Sequence, residues 1–149
     1  MDVLEHLAEE HRHVEKLIAE LETSTTTTER VRILADLGDS LAKHMDVEEE
    51  RVYPIVDRYL GSDRAAAATA EHDAARDDLA RLVDREDDAG FADAVARFKV
   101  DMSRHVREEE NDIFPRLRVD AAAEIAALGN LHRLEDEVQQ ELTDETLAR

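Results

Sequence analysis

The sequence contains no cysteine, which excludes disulfide scaffolds, thiolate zinc sites, iron–sulfur clusters and thiol catalysis together. It has only four glycines and two prolines in 149 residues, which disfavours a turn-rich all-β fold. No apolar run approaches the roughly 20 residues of a membrane-spanning helix. The first residues also lack the basic and apolar regions of a signal peptide. We therefore expect a cytoplasmic protein.

Positive charge is also scarce. The chain carries 38 Asp and Glu against 19 Lys and Arg, a formal net charge of −19. Nucleic-acid phosphates and anionic membrane surfaces repel such a chain, so we expect neither nucleic acid nor membrane as a partner. Hydrophobic residues nevertheless make up 42% of the sequence, too many for a disordered polymer, and the length is typical of one folded domain.

Apolar residues recur at helical spacing along the chain. From about residue 2 to residue 22 they fall three or four positions apart, as on one face of an amphipathic helix. A threonine-rich run follows, and Thr26 and Glu29 are spaced as a capping box, which predicts a second helix beginning near Thr28. The inward face of this second helix is predicted to comprise Val31, Leu34, Leu37, Leu41, His44, Val47, Glu48 and Ile55.

Glycine and proline mark the predicted boundaries of the later helices. Pro54 is expected to kink the second helix or end it early, because proline lacks the N–H that the preceding turn would bond. Gly61 is predicted to end it and Ser62 to be the N-cap of a third helix, which runs to about Arg85. The remaining predicted elements are a break at Asp87-Asp88-Ala89-Gly90, a fourth helix from Phe91 to near Pro115, and a fifth helix from Ala121 to about Leu142.

These patterns predict an all-α fold. Short connections between long helices make neighbouring helices antiparallel. We therefore expect an up-down-up-down four-helix bundle of two αα-hairpins, plus a C-terminal fifth helix. In this interpretation residues 1–118 form the bundle, and residues 119–149 form the C-terminal helix, packed on the bundle or extending from it.

An internal repeat with an offset of 61 residues relates the two predicted hairpins. It covers core positions as well as polar ones. Each hairpin offers one histidine from its first helix and a His-x-x-x-Glu from its second. The repeated pairs include Glu10 and Glu71, His11 and His72, His44 and His105, Glu48 and Glu109, Glu49 and Glu110, and Pro54 and Pro115.

The repeated histidines and glutamates have the spacing of a metal site. Residues four apart lie about 40° apart around a helix and one turn above each other, so His44 and Glu48 reach one point, as do His105 and Glu109. Carboxylates on apolar stripes are costly without a partner. Imidazole and carboxylate ligands suit iron, manganese or zinc. Two related halves predict two metal ions in the bundle core.

The other histidines and acidic residues have simpler interpretations. His6, His13 and His132 lie off the metal-facing stripes or have no partner motif, and we expect them to be exposed. The charge runs beside the two predicted glutamate ligands are expected to face solvent, as charge runs usually do. These runs comprise Glu49, Glu50, Glu108 and Glu110.

The motifs resemble the hemerythrin-like family, also called the HHE cation-binding domain. The resemblance covers about residues 2–118 and implies a four-helix bundle around two non-haem iron ions joined by an oxo or hydroxo bridge. It is carried by His11, His44-Met45-Asp46-Val47-Glu48, His72, His105-Val106-Arg107-Glu108-Glu109 and the stretches that follow, up to Pro54 and Pro115. By that resemblance the terminal ligands are His11, His44, His72 and His105, and the bridging ligands are Glu48 and Glu109.

The sequence departs from the oxygen-carrying hemerythrins in two places. Those proteins have a second histidine one turn after the first on the third helix, where this chain has Arg76. They also have an aspartate five residues after the last histidine, where this chain has Glu109 four residues after His105. Four evenly divided histidines argue against reversible oxygen carriage, which depends on an asymmetric pair of irons. We expect Arg76 to lie at the surface or behind a ligand, and both irons to keep an open or water-filled position, as catalytic metals do.

Tyr53 is a further candidate metal ligand. On a straight helix its side chain would point away from the metal face, whereas a π-helical turn beside Pro54 would bring the phenol round to it. The alternative is that Tyr53 and its repeat mate Phe114 both pack as core aromatic residues.

The predicted function is binding of, or reaction with, hydrogen peroxide, nitric oxide or dioxygen. A peroxidase-like, catalase-like or nitric oxide-consuming oxidoreductase competes here with an oxygen or iron sensor or store, and the electron donor is not specified. A ferritin-like site needs Glu-x-x-His on each of two helices, which the chain does not supply. A metal-free helical module that contacts partners through its C-terminal helix is the remaining alternative.

Overall fold

Helices form all the regular structure in the residues that the computed structural model describes, 1–85 and 89–149. Asp87 and Asp88 of the predicted break lie outside these ranges, and the next helix begins directly after Gly90. The first half, which is the first hairpin of the repeat, contains α1 (Val3–Thr23), α2 (Thr27–Val47), the π-helical turn π1 (Glu48–Val52) and α3 (Tyr53–Leu60). The second half, which is the second hairpin, contains α4 (Ser62–Asp84), α5 (Phe91–Glu108), the π-helical turn π2 (Glu109–Ile113) and α6 (Phe114–Asp120), and it is followed by α7 (Ala122–Leu128) and α8 (Leu131–Ala148).

Thr26 and Gly61 determine where α2 and α4 begin. Thr26 accepts a hydrogen bond from the backbone N–H of Glu29 at 3.2 Å, so Thr26 is the N-cap of α2, as its spacing predicted. The prediction that Ser62 is an N-cap is wrong, because α4 already begins at Ser62. Gly61 before it has a φ of 102°, which glycine adopts without strain, and this single residue turns the chain from α3 into α4.

A π-helical turn precedes each proline. π1 joins α2 to α3, and π2 joins α5 to α6, at the same place in the two repeats. Pro54 and Pro115 then fall in the first turn of α3 and α6, where the missing N–H removes no bond of that segment. The helical path therefore continues past Pro54, and what changes there is the type of helix.

Two apolar clusters lie on either side of a layer of buried histidines and glutamates. Along α1, Leu4 and Leu7 belong to the first cluster, His11 lies between, and Val14 and Leu17 belong to the second. The first cluster also takes residues from α3, α6, α7 and α8, and the second from α2, α4 and α5. The polar layer between them, as the name is used below, consists of His11, His44, Glu48, His72, His105 and Glu109.

The predicted inward face of α2 is wrong at Val31, which is 47% exposed. Ile33 is buried instead. The buried stripe of α2 is centred on the line through Arg30 and Leu37, and Val31 lies about 100° around the helix from Arg30. The guanidinium of Arg30 covers this end of the core, 4.3 Å from the centroid of the Phe91 ring.

The predicted single C-terminal helix is two helices. Gly129, with a φ of 75°, follows the end of α7, and the Asn130 side chain caps the start of α8 by accepting a backbone hydrogen bond at 3.1 Å. α8 packs against α1 and α2 and adds its apolar face to the first cluster. That face consists of Leu131, Leu134 and Val138. In the part of the chain that the structure describes, no helix is long and apolar enough to cross a membrane.

Candidate metal centre

The polar layer brings together the four histidines and two glutamates that the repeat singled out. Each of these six residues is at most 4% exposed. The histidines come from four different helices, α1, α2, α4 and α5, and the glutamates are the first residues of π1 and π2. Apolar clusters on both sides keep the layer away from solvent.

Each glutamate of the layer contacts one histidine from each half of the chain. Oε1 of Glu48 lies 2.9 Å from Nε2 of His44 and 3.1 Å from Nε2 of His72. Oε1 of Glu109 lies 3.2 Å from Nε2 of His105 and 3.1 Å from Nε2 of His11. The two carboxylates therefore lie between the halves, and the imidazoles surround them.

The donor atoms form two groups that are compact enough to hold a metal ion each. Within each group one ligand atom per residue lies within 4.8 Å of all the others. The groups are His11, His44, Glu48 and Glu109, and Glu48, His72 and His105. Glu48 belongs to both, so the two groups adjoin.

Several buried polar atoms of the layer make no well-directed hydrogen bond, although charge contacts join most of them. They are Nε2 of His11, His44 and His105, Oε2 of Glu48 and Oε1 of Glu109. Leaving such atoms without hydrogen bonds is costly, and native proteins rarely do so without a reason. A metal ion with imidazole and carboxylate ligands would satisfy all of these atoms, and the layer therefore fits the two metal ions that the sequence predicted.

A second set of carboxylates orients the four imidazoles. Each of these carboxylates lies close enough to the Nδ1 atom of one imidazole to accept a hydrogen bond from it. The Nε2 atom of that imidazole therefore faces the layer. Nδ1 is 2.7 Å from Glu110 in His11, 2.9 Å from Glu10 in His44, 2.7 Å from Glu49 in His72, and 3.4 Å from Glu71 in His105.

The prediction that Glu49 and Glu110 only face solvent is therefore wrong. Both are partly buried, because each reaches from its π-helical turn to a histidine on a helix of the other half. Glu50, in contrast, is exposed. The sequence did hold a signal for these orienting residues, since Glu10 and Glu71, like Glu49 and Glu110, are related by the same offset of 61 residues.

Arginines hold two of the orienting carboxylates. Arg76 donates to Glu49 at 2.7 Å, and Arg12 donates to Glu110. Arg12 and Arg76 are not repeat mates, so the two halves obtain the same contact from different positions. We expected Arg76 to lie either at the surface or behind a predicted ligand. The structure shows the second arrangement, because Arg76 contacts Glu49, the carboxylate that orients His72.

Tyr53 faces the polar layer, and its repeat mate Phe114 does not offer a polar group there. The π-helical turn that the Tyr53 hypothesis required is present immediately before Tyr53. The buried Tyr53 hydroxyl donates to Oε2 of Glu109 at 2.9 Å and lies 2.9 Å from Nε2 of His72. The Phe114 ring stacks parallel to His11 at a centroid distance of 6.2 Å. The two ends of the layer therefore differ by one phenol hydroxyl.

Charge pairing sets the protonation of the metal-free layer. Burial by itself would lower the pKa of His44, but the charge of Glu48 and the hydrogen bond that His44 donates to Glu10 raise it to about 10. Burial would also lower the pKa of His105, but the charge of Glu109 raises it to about 12. Burial and the Glu48 and Glu109 carboxylates raise the pKa of Tyr53 well above its usual value. At neutral pH the layer therefore holds imidazolium–carboxylate pairs and a neutral phenol.

The three remaining histidines lie outside the layer. His13 and His132 are exposed, as predicted, whereas His6 is only partly exposed. His13 lies 3.4 Å from Asp36, and His6 lies 3.6 Å from Glu9.

We compared the chain with curated proteins, with solved structures and with models of protein families. No curated protein and no solved structure gives a match. The family model of the hemerythrin HHE cation-binding domain matches residues 2–117, and it matches a second time over residues 78–149. The first match includes all six residues of the polar layer. The chain therefore belongs to the hemerythrin HHE cation-binding domain family.

Proposed function

We propose that the protein holds two non-haem iron ions joined by an oxo or hydroxo bridge, and that it consumes hydrogen peroxide or nitric oxide rather than carrying dioxygen reversibly. His11 and His44 would bind one iron and His72 and His105 the other, with Glu48 and Glu109 bridging. The observation that carries the proposal is the buried layer of Nε2 and carboxylate oxygen atoms that lack hydrogen bonds and lie close enough together to hold metal ions. Iron bound there would supply one-electron exchange and an open position for a small ligand.

We further infer that α1, α2, α4 and α5 run up-down-up-down, each pair continuing through its π-helical turn. Support comes from the connection of three residues between α1 and α2 and from the contacts of α1 with α2 and α5 and of α4 with α2 and α5. This order directs one imidazole from each helix into the layer.

The even division of histidines supports reaction over oxygen carriage. Each half supplies two imidazoles, and Arg76, which occupies the place of a further histidine, is held outside the layer by Glu49. Disproportionation of hydrogen peroxide to water and dioxygen needs no outside electron donor, and it is the activity we expect first. Inside the layer, the Tyr53 hydroxyl is the proton donor closest to His72 and Glu109. We propose that Tyr53 becomes a ligand of the iron on the His72 side once that metal displaces its proton.

The test is rapid-mixing spectroscopy of the iron-loaded protein with peroxide, nitric oxide and dioxygen, together with turnover of each. We expect turnover of peroxide or nitric oxide and no stable, reversible dioxygen adduct. In Tyr53→Phe we expect loss of a visible phenolate-to-iron absorption band. The other tyrosine of the chain is Tyr59, which is 42% exposed and bonds Glu124, so Tyr59→Phe is the matched control and keeps the band.

Two results would contradict these proposals separately. A reversible dioxygen adduct without turnover of peroxide or nitric oxide would overturn the proposed reaction. An unchanged spectrum in Tyr53→Phe would return Tyr53 to the role of a core aromatic residue and leave the reaction untouched.

The orienting carboxylates give a further prediction. Replacing Glu110 with Gln is expected to weaken metal binding by roughly 10- to 100-fold, because the amide accepts more weakly from Nδ1 of His11 and orients the ring less firmly. Competition with a chromophoric chelator measures the change. Glu50→Gln, on the exposed side of π1, is the control and should bind as the unaltered protein does. If Glu110→Gln binds the metal as tightly as Glu50→Gln does, Glu110 does not contribute to metal binding.

A further inference from the structure

A cavity outside the polar layer collects the histidines that the centre does not use. It has a volume of about 290 Å³ and lies among α1, α2 and α8. Its walls include His6, His13 and His132, together with Glu10 and Glu135. The rings of His6 and His132 are 6.4 Å apart, centroid to centroid. We call it the α1–α8 cavity.

Glu10 links this cavity to the polar layer. Its Oε1 bonds Nδ1 of His44 at 2.9 Å, while the residue also lines the cavity and its side chain is 30% exposed. The six residues of the layer, in contrast, are at most 4% exposed. Glu10 therefore contacts both the cavity and a histidine of the layer.

The charge around Glu10 is unlike that around the other three orienting carboxylates. Glu49 and Glu110 each bond an arginine, and Glu71 lies 4.0 Å from Nε of Arg104. Glu10 instead faces Glu135 of α8. Burial and the hydrogen bond shared with Glu10 raise the pKa of Glu135 to about 7, and its buried Oε1 has no hydrogen-bond partner. The cavity beside Glu10 is lined by four carboxylates, Glu9, Glu10, Asp39 and Glu135, and by one ammonium group, that of Lys43, so its excess of negative charge attracts a cation.

The donor types of the cavity match a divalent metal ion. Imidazole together with carboxylate suits Fe²⁺, Mn²⁺ and Zn²⁺. His132 and Glu135 lie three residues apart on α8, so they share a face.

The cavity is built for brief rather than permanent binding. Among the described residues, groups of three ligand atoms within 4.8 Å of one another occur in the polar layer and not in this cavity. An ion would be held by one or two side chains and by water, and it would leave readily.

We propose that the α1–α8 cavity is a loading site, where His132 and Glu135, with His6, capture Fe²⁺ from solvent before it passes Glu10 to the centre. This rests on the proposed function only in taking the polar layer as the destination. Capture itself depends on the cavity alone.

The first experiment measures capture. Mn²⁺ is titrated by electron paramagnetic resonance into the full chain after its centre has been filled with iron. We expect one further, weak equivalent, bound at least tenfold more weakly in the double variant His132→Ala with Glu135→Gln. Glu137→Gln, on the exposed side of the same helix, is the control and should leave binding unchanged. No further equivalent, or one that the double variant retains, would overturn the loading site.

The second experiment measures uptake. Anaerobic Fe²⁺ loading of the metal-free chain is followed by stopped-flow, and the double variant is expected to load about tenfold more slowly while still reaching two irons per chain. An unchanged loading rate would overturn the proposal. If the centre takes up no iron in the unaltered protein, the proposed function fails. The Mn²⁺ titration, run on the chain as isolated and compared across the same variants, still decides whether the cavity binds a cation.

Discussion

Removing the metal from the loaded protein is expected to lower its melting temperature by about 8–16 °C. A ligand that binds only the folded state stabilises it by about 4 kcal/mol when its free concentration is about a thousand times its Kd, and a chain of this length loses about 2–4 °C per kcal/mol. The layer couples binding to folding because its six ligands come from four helices and two π-helical turns. Differential scanning calorimetry with and without a chelator measures the shift.

The metal-free chain should nevertheless remain folded. Imidazolium–carboxylate pairs such as His44 with Glu48 and His105 with Glu109 replace the metal in the layer. The double variant His44→Ala with His105→Ala is the control: its melting temperature should no longer respond to the chelator. A melting temperature that chelation leaves unchanged in the unaltered protein would show that the metal is bound elsewhere or not at all.

The overall constant for binding the two metal ions is expected to rise about 100-fold or more per pH unit between about pH 6.5 and pH 9. In the metal-free protein the pKa of His44 is raised to about 10 and that of His105 to about 12, so both imidazoles hold a proton across this range. Each of the two metal ions must displace one of these protons, and each displaced proton contributes about a tenfold change per pH unit to the overall constant. Calorimetric titrations in buffers of different ionisation enthalpy count the protons released.

The stability of the metal-free protein, in contrast to its metal affinity, is expected to fall as the pH rises. A pKa raised from 6.5 to about 10 gives His44 a stabilising contribution that is complete below about pH 6.5 and is lost as the pH rises through 10. The difference in stability between loaded and metal-free protein should therefore widen with pH. Metal binding that releases no proton would mean that these two imidazoles are not ligands.

Sequence reasoning found the residues of the polar layer because their signal is local. His44 and Glu48 are one turn apart on one helix, and the offset of 61 residues reproduces the pair as His105 and Glu109. The orienting carboxylates were misjudged because their contacts join helices far apart in the chain. Glu110 reaches back 99 residues to His11, and spacing along a single helix carries no information on such a contact.

The fold was predictable from the sequence to about the same extent as the site. Helical periodicity indicated the long helices, since their buried faces follow a strict period. The single C-terminal helix was wrong because the apolar spacing continues across Gly129 and Asn130, although glycine followed by asparagine is itself a stop and start signal. The π-helical turns have no signature in periodicity, and only the position of Tyr53 beside Pro54 raised that possibility.

The two π-helical turns, Glu48–Val52 and Glu109–Ile113, also bear on how the centre is built as an assembly. Each begins with the carboxylate that contacts a histidine of the opposite hairpin, Glu48 with His72 and Glu109 with His11. A single hairpin therefore supplies residues of the polar layer but does not enclose them, and the two repeated hairpins complete each other. These reciprocal contacts are the pairing of an isologous interface, in which a residue of one copy contacts a second residue of the other copy and the reverse contact also occurs. Tyr53 opposite Phe114 is a difference that two copies joined in one chain can hold and two identical subunits cannot.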